Sequence, residues 1–215
     1  MTTIDRWKLR VLPVAAVLGL LFVCAAWPLW LTPVLANPTN APAATSSRAG
    51  DAASAKSAAA FVLVWKVFTS PRCQNCHPSG DAPLQGDDSH VHAQDVKRGA
   101  DGKGVTAMRC HTCHQDQNTA GANMPPGNPK WSLPPANDKM VFVGRTPAEL
   151  CRQLKDPAQT GGRNLERLVE HVATDPLVGW GWNPGDGRTL PPLTRAETVT
   201  AMREWLDNGA ACPNQ

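Results

Sequence analysis

The chain has 215 residues, a formal net charge of +3 and seven cysteines. So small a charge, with no basic run to give it direction, excludes a nucleic-acid partner held by electrostatics. The balance falls further, to +1, if residues 1–36 are removed with Arg6, Lys8, Arg10 and Asp5.

That N-terminal segment opens basic and runs into an apolar stretch over residues 11–31, followed by Val34, Leu35 and Ala36. The order of charge, apolar run and small-residue site is that of a secretory signal, with cleavage after Ala36 fitting best. Left uncut, the run is long enough, at about 1.5 Å per helical residue, to anchor the chain in a bilayer. Pro13, Pro28 and Pro33 argue against the anchor. Either outcome sends the remainder out of the cytoplasm, and the periplasm is the expected location. Cys24 follows Val23, where a lipoprotein site needs a small residue, and reads as an apolar cysteine of the signal.

Residues 37–57 are rich in Ala, Pro, Ser and Thr with almost no apolar bulk, which predicts a flexible linker. Residues 58–215 are expected to form one domain. The composition turns helical from about Asp51, and Phe61, Val64, Trp65 and Phe68 recur at i, i+3, i+4 and i+7, one apolar helical face that Pro71 ends.

Cys73-Gln74-Asn75-Cys76-His77 follows at once, and Cys110-His111-Thr112-Cys113-His114 repeats the C-x-x-C-H pattern 37 residues on. Two thiols at this spacing can each form a thioether to one haem edge while the next histidine reaches the iron, so the pair predicts two covalently bound c-type haems. The six residues concerned are Cys73, Cys76, His77, Cys110, Cys113 and His114. Four cysteines could instead form a zinc ribbon, which gives no reason for a histidine after each second cysteine. A thioredoxin-like pair would need a strand before it and a regular helix after it, whereas Pro71 and Pro78 bracket the first motif. Two haems would add up to four carboxylates, which suits a docking partner with a basic patch.

Between the motifs, glycines and Asp81, Asp87, Asp88, Asp95 and Asp101 predict loops, with a helical turn near residues 93–97. The acidic residues do not alternate as a calcium loop requires and read as solvated turns. Met124-Pro125-Pro126-Gly127, Trp131, Pro134 and Pro135 exclude helix and central strand. Thr146-Pro147-Ala148-Glu149 and Thr194-Arg195-Ala196-Glu197 are capping boxes that open helices, with Leu150, Cys151 and Leu154 buried in the first and Val199, Met202, Trp205 and Leu206 in the second. A helix from Asn164 carries Leu165, Leu168, Val169 and Val172 on one stripe, and residues 179–192 read as loop. The expected fold is mainly α and loop-rich, a compact multihaem cytochrome c domain with about four helices and little or no β structure.

Cys151 and Cys212 remain once four cysteines serve haem and one lies in the signal, and outside the cytoplasm they are expected to pair. The alternative is two buried thiols packed as small hydrophobes. For the sixth position on each iron, with His77 and His114 proximal, the remaining histidines are His90, His92, His111 and His171. His111, inside its own motif, is set aside. His92 and His171 are the expected ligands, one to each haem, with His90 and Met124 as alternatives; Met124 stands before proline as in the methionine loop of class I monohaem cytochromes. His171 would otherwise be a half-exposed histidine on a helix flank.

The blocks Ser70-Pro71-Arg72-Cys73 through Asp81, Pro83-Leu84-Gln85-Gly86-Asp87-Asp88, Cys113-His114-Gln115, Gly144-Arg145-Thr146-Pro147-Ala148-Glu149-Leu150-Cys151 and Trp180-Gly181-Trp182 resemble those of a group of small exported cytochrome c family proteins. The likeness covers about residues 58–213. Some of that group are labelled isoquinoline 1-oxidoreductase subunits, after a molybdenum hydroxylase, and the resemblance implies an electron acceptor beside such an enzyme. The expected function is transfer of electrons from a partner oxidoreductase to another carrier, a cytochrome or a quinone-linked complex. The alternative is a small dihaem enzyme, a peroxidase or a thiosulfate-oxidising cytochrome, with one open haem site. A haem sensor would need an output domain, which the sequence does not contain.

Overall fold

The computed structural model describes residues 43–214, and the signal or anchor expected over residues 1–36 lies outside the described residues. Six α-helices carry the fold: α1 (Ala43–Phe68), α2 (Pro71–Gln74), α3 (Pro147–Leu154), α4 (Leu165–Thr174), α5 (Pro176–Trp180) and α6 (Arg195–Asp207). The only strands among the described residues are two short antiparallel hairpins, β1 (Leu84–Gln85) with β2 (His90–Val91) and β3 (Gly104–Val105) with β4 (Met108–Arg109). The chain is mainly helical, as expected. Among the described residues no helix is long and apolar enough to cross a membrane.

The longest helix begins at Ala43, ahead of the expected start at Asp51 and inside the stretch expected to be a linker. Alanine loses almost nothing on entering a helix, so the Ala-rich first half extends the element that the apolar stripe nucleates. Ser57, placed in the linker by composition, is fully buried. Its hydroxyl donates to the Trp205 carbonyl at 2.6 Å and accepts from the Ala211 amide at 2.9 Å, which pins α1 to α6.

The core forms where the stripe of α1 meets α3, α4 and α6. Phe61, Val64, Val67 and Phe68 pack with Leu150, Cys151, Leu154, Leu168, Val169, Val172, Ala201, Met202 and Trp205. Phe61 lies 4.7 Å from Trp205, ring centre to ring centre. Burying a side chain of this size stabilises the fold by about 1.5–3 kcal/mol, so a dozen such groups supply the main driving force. Both capping boxes form: Thr146 with Glu149 opens α3, and Thr194 with Glu197 opens α6.

Two expectations are corrected. Residues 93–97 make no helix: the chain only turns at Ala93 and Gln94, and Asp95 adopts φ +49°, outside the right-handed helical region. The second is the loop expected over residues 179–192: Gly179 and Trp180 close the short helix α5, which Asp175 caps by accepting from the amides of Leu177 and Val178, with Pro176 at its first position.

Cys151 and Cys212 form a disulfide, with Cα atoms 5.6 Å apart and a separation of 61 positions in sequence. The bridge ties the tail beyond α6 to α3 at the centre of the core. Changing both cysteines to alanine is expected to lower the unfolding free energy by about 4 kcal/mol, the chain-entropy value for such a loop. A urea titration measures it, and a loss under about 1 kcal/mol would show that the tail is held by its other contacts.

Candidate functional site

Both C-x-x-C-H motifs fold as a helical turn. In the first, the amide of Cys76 bonds the Cys73 carbonyl and that of His77 bonds Gln74; in the second, the amides of Cys113 and His114 both bond the Cys110 carbonyl. This winding puts the two cysteines and the histidine of each motif at i, i+3 and i+4, on one side of the turn.

Each motif histidine is fixed by a backbone carbonyl from a later, irregular segment. His77 Nδ1 lies 2.8 Å from the Met140 carbonyl oxygen and His114 Nδ1 lies 2.7 Å from that of Pro126. A carbonyl can only accept, so Nδ1 carries the proton in both rings and the lone pair of the neutral imidazole sits on Nε2. Burial pushes the His77 pKa down to about 4, the Met140 and Lys139 hydrogen bonds acting against it, and burial likewise lowers that of His114. Both rings are therefore neutral at physiological pH, the state a metal ligand needs.

The rings are also held flat. His77 stacks on Phe142 at 3.9 Å and 15°, while the Phe142 amide donates to the His77 carbonyl at 2.9 Å. Met140 takes φ +44° to aim its carbonyl, a costly conformation for a long side chain that its neighbours must hold in place. His114 stacks on Trp131 at 4.5 Å and 12°, and Trp180 meets Trp131 edge-on at 4.9 Å. Next to Pro126, a Cβ on Gly127 would lie 2.0 Å from the Gln117 carbonyl, so only glycine lets this loop close on the motif.

The two hairpins connect the motifs. The first is rooted on motif one: the Leu84 amide donates to the Asn75 carbonyl at 3.0 Å, and Asn75 Nδ2 donates to the Gly86 carbonyl at 2.9 Å. The same hairpin then carries His92 to motif two, its amide bonded to the Pro83 carbonyl at 3.0 Å. The His92 and His114 ring centres are 6.2 Å apart. The second hairpin delivers Cys110, whose amide continues the ladder to the Lys103 carbonyl.

His171 lies on α4, with Nδ1 3.6 Å from an Asp175 carboxylate oxygen. It lines an open cavity of about 490 Å³ with Lys130, Arg163 and Arg167. Burial lowers the pKa of both His92 and His171. His92 Nδ1 is buried with no hydrogen-bond partner. His90, by contrast, is on the surface with both ring nitrogens engaged, by Asp88 and Gln85. Met124 is 43 % exposed, its carbonyl accepting from Arg188 at 2.6 Å and its amide donating to the Gly121 carbonyl at 3.5 Å.

Cys73, Cys76, Cys110 and Cys113 are free thiols. Burial pushes Cys73 up to about 12 and Cys76 up to about 11, the opposite of the lowered thiol of a reactive redox pair. Among the described residues no three His, Cys, Asp or Glu side chains gather as a metal cluster, so these cysteines do not form the four-thiolate shell of a zinc ribbon.

The sequence matches no family model, and no curated protein and no solved structure is similar to it. The site contacts that sequence reasoning missed are the Met140 and Pro126 carbonyls and the stacked rings of Phe142 and Trp131. Only the aromatics carried a signal, as large residues in stretches too rich in proline to have an element of their own.

Phe142 is 4 % exposed and stacks on both His77 and Phe68. Phe142→Ala is expected to cost about 3–5 kcal/mol of unfolding free energy, and Phe142→Leu less than half of that. Guanidinium titrations give both values, and equal losses would mean that the ring is not packed as described.

Proposed function

We propose that the chain is an exported, periplasmic dihaem c-type cytochrome that carries electrons from a partner oxidoreductase to a second redox carrier. The observation that carries this reading is the shared arrangement of the motif histidines, each donating Nδ1–H to a backbone carbonyl with Nε2 left as the free lone pair. Metal-ligating imidazoles are oriented in this way.

The residues also suit the group they would hold. A haem supplies four equatorial nitrogens of its own, so the protein needs two thiols and two axial side chains per site, not a cluster of three or four ligands. Two imidazoles on opposite sides of one ion, with bonds of about 2 Å, have ring centres about 6 Å apart. The His92 to His114 separation of 6.2 Å fits that requirement, and the orphaned, buried His92 nitrogen lacks the partner that a ligand would provide. For the His77 centre the proposed second ligand is His171, whose Asp175 neighbour suits an oriented imidazole.

When bound, each haem supplies an iron that gains or loses one electron. Cys73, Cys76, Cys110 and Cys113 would tether the two groups, and His77 with His171 and His114 with His92 would supply the imidazole ligands. Phe142 and Trp131 fix the planes of the proximal rings. Bis-histidine ligation lowers both potentials relative to histidine and methionine, and filled axial positions favour transfer over substrate binding. The molybdenum hydroxylase suggested by the resemblance is one donor of the right class.

The competing reading, an enzyme with an open haem site, is favoured by one feature, the cavity beside His171. His92→Ala and His171→Ala test the two readings. Each is expected to turn one haem high-spin and leave the other unchanged in the absorption spectrum, while the reduced wild-type protein binds no carbon monoxide. A variant that stays fully low-spin would remove that histidine from the ligand set. Stoichiometric carbon monoxide binding at one haem of the wild type would favour the enzyme.

A further inference from the structure

Two arginines flank the first motif, and they differ in one respect. Arg72 is buried and bonded to a carboxylate: its guanidinium donates to Asp87 at 2.6 Å and to the Gly86 carbonyl at 3.1 Å. Asp87 also accepts from the Thr189 amide at 3.1 Å, which fixes it in place. The charge of Arg72 is thus compensated where it stands.

Arg98 is 1 % exposed, and among the described residues no carboxylate lies within ion-pair distance of it; Asp81, the carboxylate whose charge acts on it, is paired with Lys139 at 2.8 Å. Its guanidinium donates only to backbone carbonyls, those of Pro134 at 2.5 Å, Gly80 at 3.1 Å and Pro78 at 3.4 Å, and its Nε is buried without a partner. Pro78 follows His77 directly. The Arg98 main chain braces the other motif, its carbonyl accepting from Gly104 at 2.8 Å in the hairpin that leads to Cys110. Burial lowers the Arg98 pKa, yet a guanidinium stays charged in proteins. Dipoles of three carbonyls solvate such a cation without cancelling its net charge, and in a dry interior that charge acts over many ångströms. Through the Pro78 carbonyl the guanidinium sits against the residue that follows His77, beside the first motif.

We infer that Arg98 is a fixed positive charge that sets the reduction potential of the first centre, while the charge of Arg72 is shared with its partner Asp87. The inference rests on the dihaem reading. Reduction adds one electron, drawn from the donor protein, and no proton, so the net charge of the centre falls by one. A buried cation nearby favours that reduced state, and removing it favours the oxidised one. Arg98 is a positioning residue in that it touches no ligand atom and acts through its charge.

The test is a spectroelectrochemical titration of the exported holoprotein. Arg98→Met is expected to lower the equilibrium constant for reduction of the first centre about tenfold, which for a one-electron couple is about 59 mV, with a smaller fall at the second. Arg98→Lys, which keeps the charge, should stay within about twofold of the wild type. Asp87→Asn releases Arg72 from its counter-ion and should move the first centre the opposite way, toward easier reduction. If Arg98→Met does not retain two haems, Arg98→Gln, with donors for the same carbonyls and no charge, takes its place. Unchanged potentials in the neutral variant at two haems per chain, or an Asp87→Asn shift of zero or the wrong sign, would overturn the inference and leave Arg98 a clamp between loops. A wild-type preparation without haem would instead sink the dihaem reading itself.

Discussion

The structure turns on two hydrogen bonds, from His77 Nδ1 to the Met140 carbonyl and from His114 Nδ1 to the Pro126 carbonyl. A buried imidazole can sit in either tautomer and turn about its side-chain bonds. A carbonyl at Nδ1 removes both freedoms at once. To bring a carbonyl to that place, the chain after each motif must fold back without forming an element, because a helix or strand would use the carbonyl itself. The proline-dense stretch over residues 124–135 meets this need directly, since prolines remove amides that would compete for carbonyls. Met140 meets it at the cost of a left-handed backbone conformation.

The helices are a frame for these loops rather than a part of the site. Among α1, α3, α4 and α6, only α4 presents a candidate ligand, His171, and the other site histidines lie in turns and hairpins. Two ties hold the frame: the Cys151–Cys212 bridge, and the Ser57 hydroxyl between α1 and the end of α6. Phe142 links frame to site, with Phe68 of α1 on one side and His77 on the other. In the proposed cytochrome, packing of that kind would keep the His77 ring from shifting between oxidation states.

What the sequence made legible follows the same division. Apolar stripes and capping boxes are local patterns, so Phe61, Val64 and Phe68, and Thr146 with Glu149, were readable to the residue. The start of α1 was misread because an Ala-rich leader has the composition of a linker, and only the distant Trp205 and Ala211 make Ser57 an interior residue. Asp175 followed by Pro176 is a local helix-opening signal for α5, whereas the left-handed backbone of Asp95 has no local sequence mark. At the site, the motif residues were visible by spacing, but the partners of their histidines are the backbone carbonyls of Met140 and Pro126. Neither leaves a mark in a one-dimensional pattern.

The measurement that bears most directly on the central claim is a pyridine haemochrome assay on the exported protein, combined with alkylation of its thiols after denaturation. Two covalent haems per chain are expected, with Cys73, Cys76, Cys110 and Cys113 all closed to the reagent. A chain free of haem, with those four thiols alkylated, would contradict the account.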